Sequence, residues 1–186
     1  MNQKLNYTAI VDKYITNPLT KNIYLIHVTL VTQRALRIAR GLNLPTETIQ
    51  FIEEASMLHD IGIVMVDDID LGCTGTLEYI CHGTKGREIL ESEGLPKHGL
   101  VAERHTGVGL AVADIISQNL PLPHRDMLAE SLEEKIISWS DLFYSKNPDD
   151  LFRERSIESA FETIVKYGEN QQKIFREWES MFAKYH

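Results

Sequence analysis

Apolar residues return every three to four positions along almost the whole chain, and this period confines it to helices packed on helices. Tyr7, Ile10, Val11, Tyr14 and Ile15 lie on one face of a first helix. A second is expected from about Lys21 to Ala39, with Ile23, Ile26, Leu30, Ala35 and Ile38 apolar, Arg34 and Arg37 polar, and Gly41 placed as a C-cap. Thr46, between Pro45 and Glu47, is placed to cap a third, which carries Ile49, Ile52, Ala55, Met57 and Leu58 as far as Asp60. Residues 61–78 contain three glycines and three aspartates and lose the period, so they read as a loop with one extended piece, Ile61 to Val66. Helices are expected again over about 83–93, 96–105 and 107–118, followed by a loop at Pro121-Leu122-Pro123-His124-Arg125-Asp126. Ser131 and Glu134 form a capping box opening a helix to about Ser145, and 154–167 and 170–185 form a terminal hairpin broken at Gly168. The expected architecture is all-α: a bundle of eight or nine helices in one domain over 1–186. Phe152, Ile157, Phe161, Ile164, Phe175, Trp178 and Phe182 give the hairpin, about 150–185, more apolar surface than a free tail exposes. It is expected to dock on the bundle, with a homodimer contact as the alternative.

The formal net charge is −8, and no basic stripe is present. A binder of long nucleic acid is disfavoured, whereas a small nucleotide is not excluded. Cys73 and Cys81 are too few for a disulfide framework and lack zinc-thiolate spacing, which fits a reducing compartment. No apolar run follows the first lysine and no stretch approaches 18 uncharged apolar residues, so a soluble, cytoplasmic protein without a membrane span is expected.

The seven histidines carry the functional signal. His27 falls between Ile23 and Leu30 on or beside an apolar face, where a hydrogen-bonded core histidine is the ordinary explanation. His59-Asp60 ends a strongly apolar helix. A carboxylate there meets the negative end of the helix dipole, at a cost of about 0.3 to 1 kcal/mol unless a cation is close. Asp141 borders the stripe made by Leu132, Ile136, Ile137, Trp139, Leu142 and Phe143, so it needs a basic partner, a metal or partial exposure. His82 and His105 each adjoin a glycine, Gly83 and Gly107, where small residues admit a ligand to the backbone. His98 and His186 are expected to be solvated. Imidazoles and carboxylates from separate helices suit zinc, iron, manganese, cobalt or nickel, and six of them can hold two ions bridged by one carboxylate. The ligand separations match no local metal motif.

The order His27, then His59-Asp60-Ile61-Gly62, then Asp141 resembles the metal-binding signature of the HD superfamily of phosphohydrolases, in particular its HDIG subset. His82 and His105 resemble the additional ligands of its two-metal members, among them bacterial dinucleoside tetraphosphatases. The segments Glu103-Arg104-His105-Thr106-Gly107 and 121–127 are similar to those of HDIG-domain phosphohydrolases. The match covers roughly residues 20–145, the expected metal-binding core. It implies that His27, His59, Asp60 and Asp141 hold one divalent transition ion, and that Asp60 bridges to a second held by His82 and His105. The pocket would then be electropositive within an acidic protein. Two-metal cyclic-dinucleotide phosphodiesterases of the superfamily carry a lysine shortly after the HDIG glycine and a Gly-Tyr-Pro motif. Here Ile63-Val64-Met65 follows Gly62 and no Gly-Tyr-Pro occurs, so cleavage of cyclic dinucleotides is not expected.

The implied reaction is hydrolysis of a small phosphate ester, a nucleotide or dinucleotide. Asp60 would serve both ions that activate the water, and Arg104, His124 and Arg125 are the candidates to clamp phosphate oxygens or protonate the leaving group. Lys85 and Arg87 are further cations near His82. Asp67-Asp68-Ile69-Asp70 lacks the pattern of a calcium loop and reads as a solvated turn. Two rivals share the ligands: a di-iron oxygenase of the same fold, and a non-catalytic metal-bound sensing module.

Overall fold

The computed structural model describes residues 5–185; the N-terminal Met1 to Lys4 and the terminal His186 lie outside them. Among the described residues there are nine α-helices and one two-stranded antiparallel sheet. The helices are α1 (Tyr7–Tyr14), α2 (Pro18–Gly41), α3 (Thr46–Leu58), α4 (His82–Ser92), α5 (Pro96–Arg104), α6 (Val112–Ser117), α7 (Leu132–Asp141), α8 (Ile157–Val165) and α9 (Glu169–Phe182). Strands β1 (Asp67–Asp68) and β2 (Cys73–Thr74) pair within the loop after α3. The fold class is therefore all-α, as expected from the period.

Local chemistry accounts for the helix ends, including those that differ from the sequence expectation. Asn17 caps α2 by accepting from the Leu19 and Thr20 N–H groups, with Pro18 in the first turn. That helix runs through Gly41 and stops after Leu42, where Asn43 takes φ of 55°. Thr46 is the first residue of α3 and not its cap; Pro45 holds that position without a side-chain bond. Ser131 Oγ does accept from the Glu134 N–H (3.1 Å), but the Glu134 carboxylate reaches Glu130 N–H (2.8 Å), so the box closes one residue early. After Asp141, Phe143 and Tyr144 bond three residues back, to Ser140 and Asp141, so α7 ends short of Ser145. Gly107 and Gly109, at φ 59° and 95°, hold the chain out of a helix until Val112. Ser156 caps α8, which starts at Ile157 and not Glu154.

The expected extended piece after Asp60 is instead a 3₁₀ helix, Ile61–Met65. Its reason is proximity: a Cβ on Gly62 would lie 2.0 Å from the His82 carbonyl oxygen and 2.3 Å from Gly86 N. Glycine lets this turn press against α4 and so fixes His59-Asp60 opposite His82.

Helix α2 feeds two apolar clusters. Ile23, Tyr24 and Val28 pack with α1, Leu58, Ile61 and Leu90. Val31, Ala35 and Ile38 pack with Ile137 and Trp139 of α7 and with Ile164, Phe175, Trp178 and Phe182 of the terminal hairpin. The hairpin's apolar face is thus buried against the bundle, while Phe152, Val165 and Tyr167 stay exposed. No helix among the described residues is long and apolar enough to cross a membrane.

Candidate metal centre

Five helices deliver their polar residues to one point: His27 from the middle of α2, His59-Asp60 from the end of α3, His82 from the start of α4, His105 from the end of α5 and Asp141 from the end of α7. His27, His59 and Asp60 are fully buried, and His82 and His105 nearly so. Their ligating atoms form two groups sharing Asp60, namely His27, His59, Asp60 and Asp141, and Asp60, His82 and His105.

The carboxylate of Asp60 divides between them. Oδ2 lies 3.1 Å from His27 Nε2 and 3.3 Å from His59 Nε2. Oδ1 lies 3.4 Å from His82 Nε2 and 3.3 Å from His105 Nε2. Asp141 Oδ1 completes the first group, 3.0 Å from His27 Nε2 and 3.5 Å from His59 Nε2.

Three of the imidazoles are aimed by one repeated device. The Nδ1–H of His59, His82 and His105 donates to the carbonyl three residues back, of Ser56 (2.6 Å), Tyr79 (2.6 Å) and Ala102 (2.8 Å). Each carbonyl fixes the ring and its tautomer and turns Nε2 inward. His82 Nε2 and His105 Nε2 end 3.1 Å apart. Burial outweighs the attraction of Asp60 at His82 and holds its pKa down to about 3, so those two nitrogens confront each other with no proton on His82 Nε2 to share. At His59 burial also opposes charge, but Asp60 and Asp141 prevail and lift the pKa to about 10.

The donor set fits a metal. His27 Nδ1 and Nε2, His59 Nε2, both Asp60 oxygens and Asp141 Oδ1 are buried without a hydrogen-bond partner. Orphaned buried polar atoms of this kind cost about 1–3 kcal/mol each, and divalent cations bound at the two groups satisfy all of them except His27 Nδ1. Gly83, beside His82, serves packing: a Cβ there would meet the Ala102 carbonyl at 2.9 Å. Gly83 brings α4 against α5 and thereby His82 to His105; the sequence reading of it as ligand access is corrected.

The other nominated residues lie in different settings. Arg104 Nη1 is paired with Glu134 and Glu130, both at 3.1 Å. Arg125 is paired with buried Glu103, which also takes Arg87 (2.5 Å). Lys85 is paired with Glu88. His124 is exposed in its loop. The structure does not bring these side chains into the His/Asp groups. His98, expected in solvent, is buried beside Glu54 and Phe51. Asp68 and Asp70, expected in a solvated turn, line a cavity of about 590 Å³ together with Leu71, Tyr79 and Lys146.

Two residues of the centre escaped the sequence reading. Lys146 Nζ lies 2.7 Å from Asp60 Oδ2, an ion-pair contact directed away from the hydrogen-bonding geometry. Burial favours neutral forms of both partners, but each outweighs that for the other: the Lys146 pKa stands well above its usual value and that of Asp60 well below. The ammonium also supplies the cation that a carboxylate at a helix C-terminus requires, and that requirement was its only signal in the sequence. Tyr79 packs its ring on His82 (4.7 Å between centroids), and burial pushes its hydroxyl up to about 12.

No protein-family model matches the chain. A tRNA (cytidine(56)-2'-O)-methyltransferase of Picrophilus torridus is 28% identical over 156 residues, covering 80% of this chain and 41% of that protein. An uncharacterized protein of Methanocaldococcus jannaschii is 35% identical over 94 residues, 50% of this chain and 48% of that one. The chain thus spans less than half the length of the curated relatives it matches. Among solved structures, the HD domain of the L. monocytogenes phosphodiesterase PgpH in complex with cyclic-di-AMP superposes with a TM-score of 0.53 at 15% identity, covering 99% of this chain and 98% of that one. A second structure of that domain gives 0.50 at 16% identity, covering 92% and 100%. The chain has the fold of that HD domain, and five of its helices bring together a buried His/Asp cluster that could hold metal.

Proposed function

We propose that this chain is a metal-dependent phosphohydrolase with a two-ion centre, in which His27, His59, Asp60 and Asp141 hold one ion and Asp60, His82 and His105 the other. The observation that supports it most is the division of the Asp60 carboxylate, Oδ2 toward one histidine pair and Oδ1 toward the other. Bound divalent ions, of iron, manganese, zinc, cobalt or nickel, supply Lewis acidity and a hydroxide near neutral pH.

The chain's own residues supply the rest. The three carbonyl-backed histidines hold their donor atoms preorganised, so little rearrangement accompanies binding. Tyr79, protonated at neutral pH, offers an O–H donor at the cavity edge for a phosphoryl or leaving oxygen. Tyr79 also lines a second cavity of about 410 Å³, walled by Ile80, Leu110, Ile164 and Tyr167, with Gln171 donating to Asp114 (2.6 Å) in its lining. Apolar walls with a few polar groups suit the base of a nucleotide ester. The cyclic-di-AMP carried by a structural neighbour supports a nucleotide class. The absence of a lysine just after Gly62 favours a linear ester over a cyclic dinucleotide. The reading takes residues 1–186 as one domain acting in the cytoplasm.

The test is elemental analysis of protein purified without added metal, followed by a nucleotide and phosphoester panel with that metal. Release of phosphate or a nucleoside monophosphate is expected, unchanged under anaerobic conditions. Turnover that consumes oxygen in its place would make the protein an oxygenase.

A further inference from the structure

We infer that Lys146 is the residue that grips the phosphoryl group at this centre, an inference that rests on the phosphohydrolase reading above. Hydrolysis at a metal centre needs a cation on the phosphoryl oxygens not held by the ions. Arg104, Arg125, Arg87 and Lys85 are each engaged by glutamates away from the ligands. Lys146 both contacts a ligand carboxylate and lines the 590 Å³ cavity.

The rest of that cavity makes the lysine decisive. Its ionisable lining is Asp68, Asp70, Asp149 and Tyr79, with Lys146 as the only cation among the described residues there. The carboxylates oppose an incoming anion, so an ester that enters meets one favourable charge, beside Asp60. An ammonium has three donors. Its 2.7 Å contact with Asp60 Oδ2 is an ion pair outside hydrogen-bonding geometry, so its N–H groups remain for phosphoryl oxygens. Its side chain is 11% exposed, which places it within reach of the cavity while its stem stays packed.

The experiment uses the full chain loaded with Mn²⁺, with bound Mn²⁺ counted by electron paramagnetic resonance and inorganic phosphate titrated calorimetrically. In Lys146→Met and Lys146→Gln the Kd for phosphate is expected to rise by about tenfold or more, with the Mn²⁺ count unchanged. A phosphate Kd within about twofold of wild type in both variants at full Mn²⁺ occupancy overturns the inference. A wild-type chain that binds no Mn²⁺ overturns the metal reading itself, which separates the two failures.

Discussion

Two interiors of this molecule are equally dry and opposite in chemistry. Around Trp139, the rings of Phe143, Phe175, Trp178 and Phe182 are no more than 2% exposed, and Phe143 and Phe175 each stand 5.0 Å from the Trp139 ring. Burying such side chains is itself the stabilising event, each contributing about 1.5–3 kcal/mol relative to exposure. A few turns away, His27, His59, Asp60, His82 and His105 are buried to the same degree, and there burial leaves polar atoms without partners. The first region holds the fold together; the second is maintained by it at a cost that a bound cation offsets. Arg34 shows how the apolar side handles a charge: its guanidinium pairs with Glu154 and stacks 3.5 Å over the Phe143 ring.

If the two regions are separable in this way, substitutions should divide cleanly between them. Asp60→Ala is expected to have the largest effect, loss of metal from both groups and a fall in phosphate release of about a thousandfold or more. Retained metal with full activity would remove Asp60 from the centre. Trp178→Ala should cost about 3–5 kcal/mol in chemical denaturation, yet leave the metal count per folded chain unaltered. Metal loss at unchanged stability would show that the two interiors are one.

The pH dependence of metal-stripped protein sharpens the contrast. His59 has a folded pKa of about 10 against 6.5 unfolded, so its contribution is fully present below pH 6.5 and is lost as pH rises toward 10. His82 has a folded pKa of about 3, so its contribution is present above 6.5 and is lost as pH falls toward 3. Stability of the stripped protein should therefore peak near pH 6.5, and metal should abolish the alkaline fall and steepen the acid limb, because ligation displaces the His59 proton. Thermal unfolding across pH 5–9 with and without metal checks this, and a monotonic profile in stripped protein counts against it. The smallest change is expected for Arg125→Ala. Its side chain is half exposed and Glu103 keeps Arg87, so stability should shift by no more than about 1 kcal/mol and KM by less than about threefold. A large rise in KM would return Arg125 to the site.

The all-α class was legible because apolar period survives in nearly every segment; His27, His59-Asp60 and Asp141 stood out as polar groups on or beside that period, and His82 and His105 through their glycine turns and the resemblance. The structure brings those six together. Less legible were features set by contact across the fold. Gly62 looked like a helix stop followed by extended chain, whereas its role is to let a 3₁₀ turn approach α4. Lys146 sits beyond α7 in Ser145-Lys146-Asn147-Pro148, where no pattern marks one lysine from another; only the folded loop returns it to Asp60. Arg104 and Arg125 stood out through their place beside His105 and His124, but sequence adjacency says nothing of the glutamates that claim them.

The central claim is that one carboxylate serves two ions, and counting metal tests it most directly. Titrated with the metal found in the purified protein, the wild type should bind two ions per chain and His82→Ala one. The same count in both proteins, whether one or none, contradicts a centre shared through Asp60.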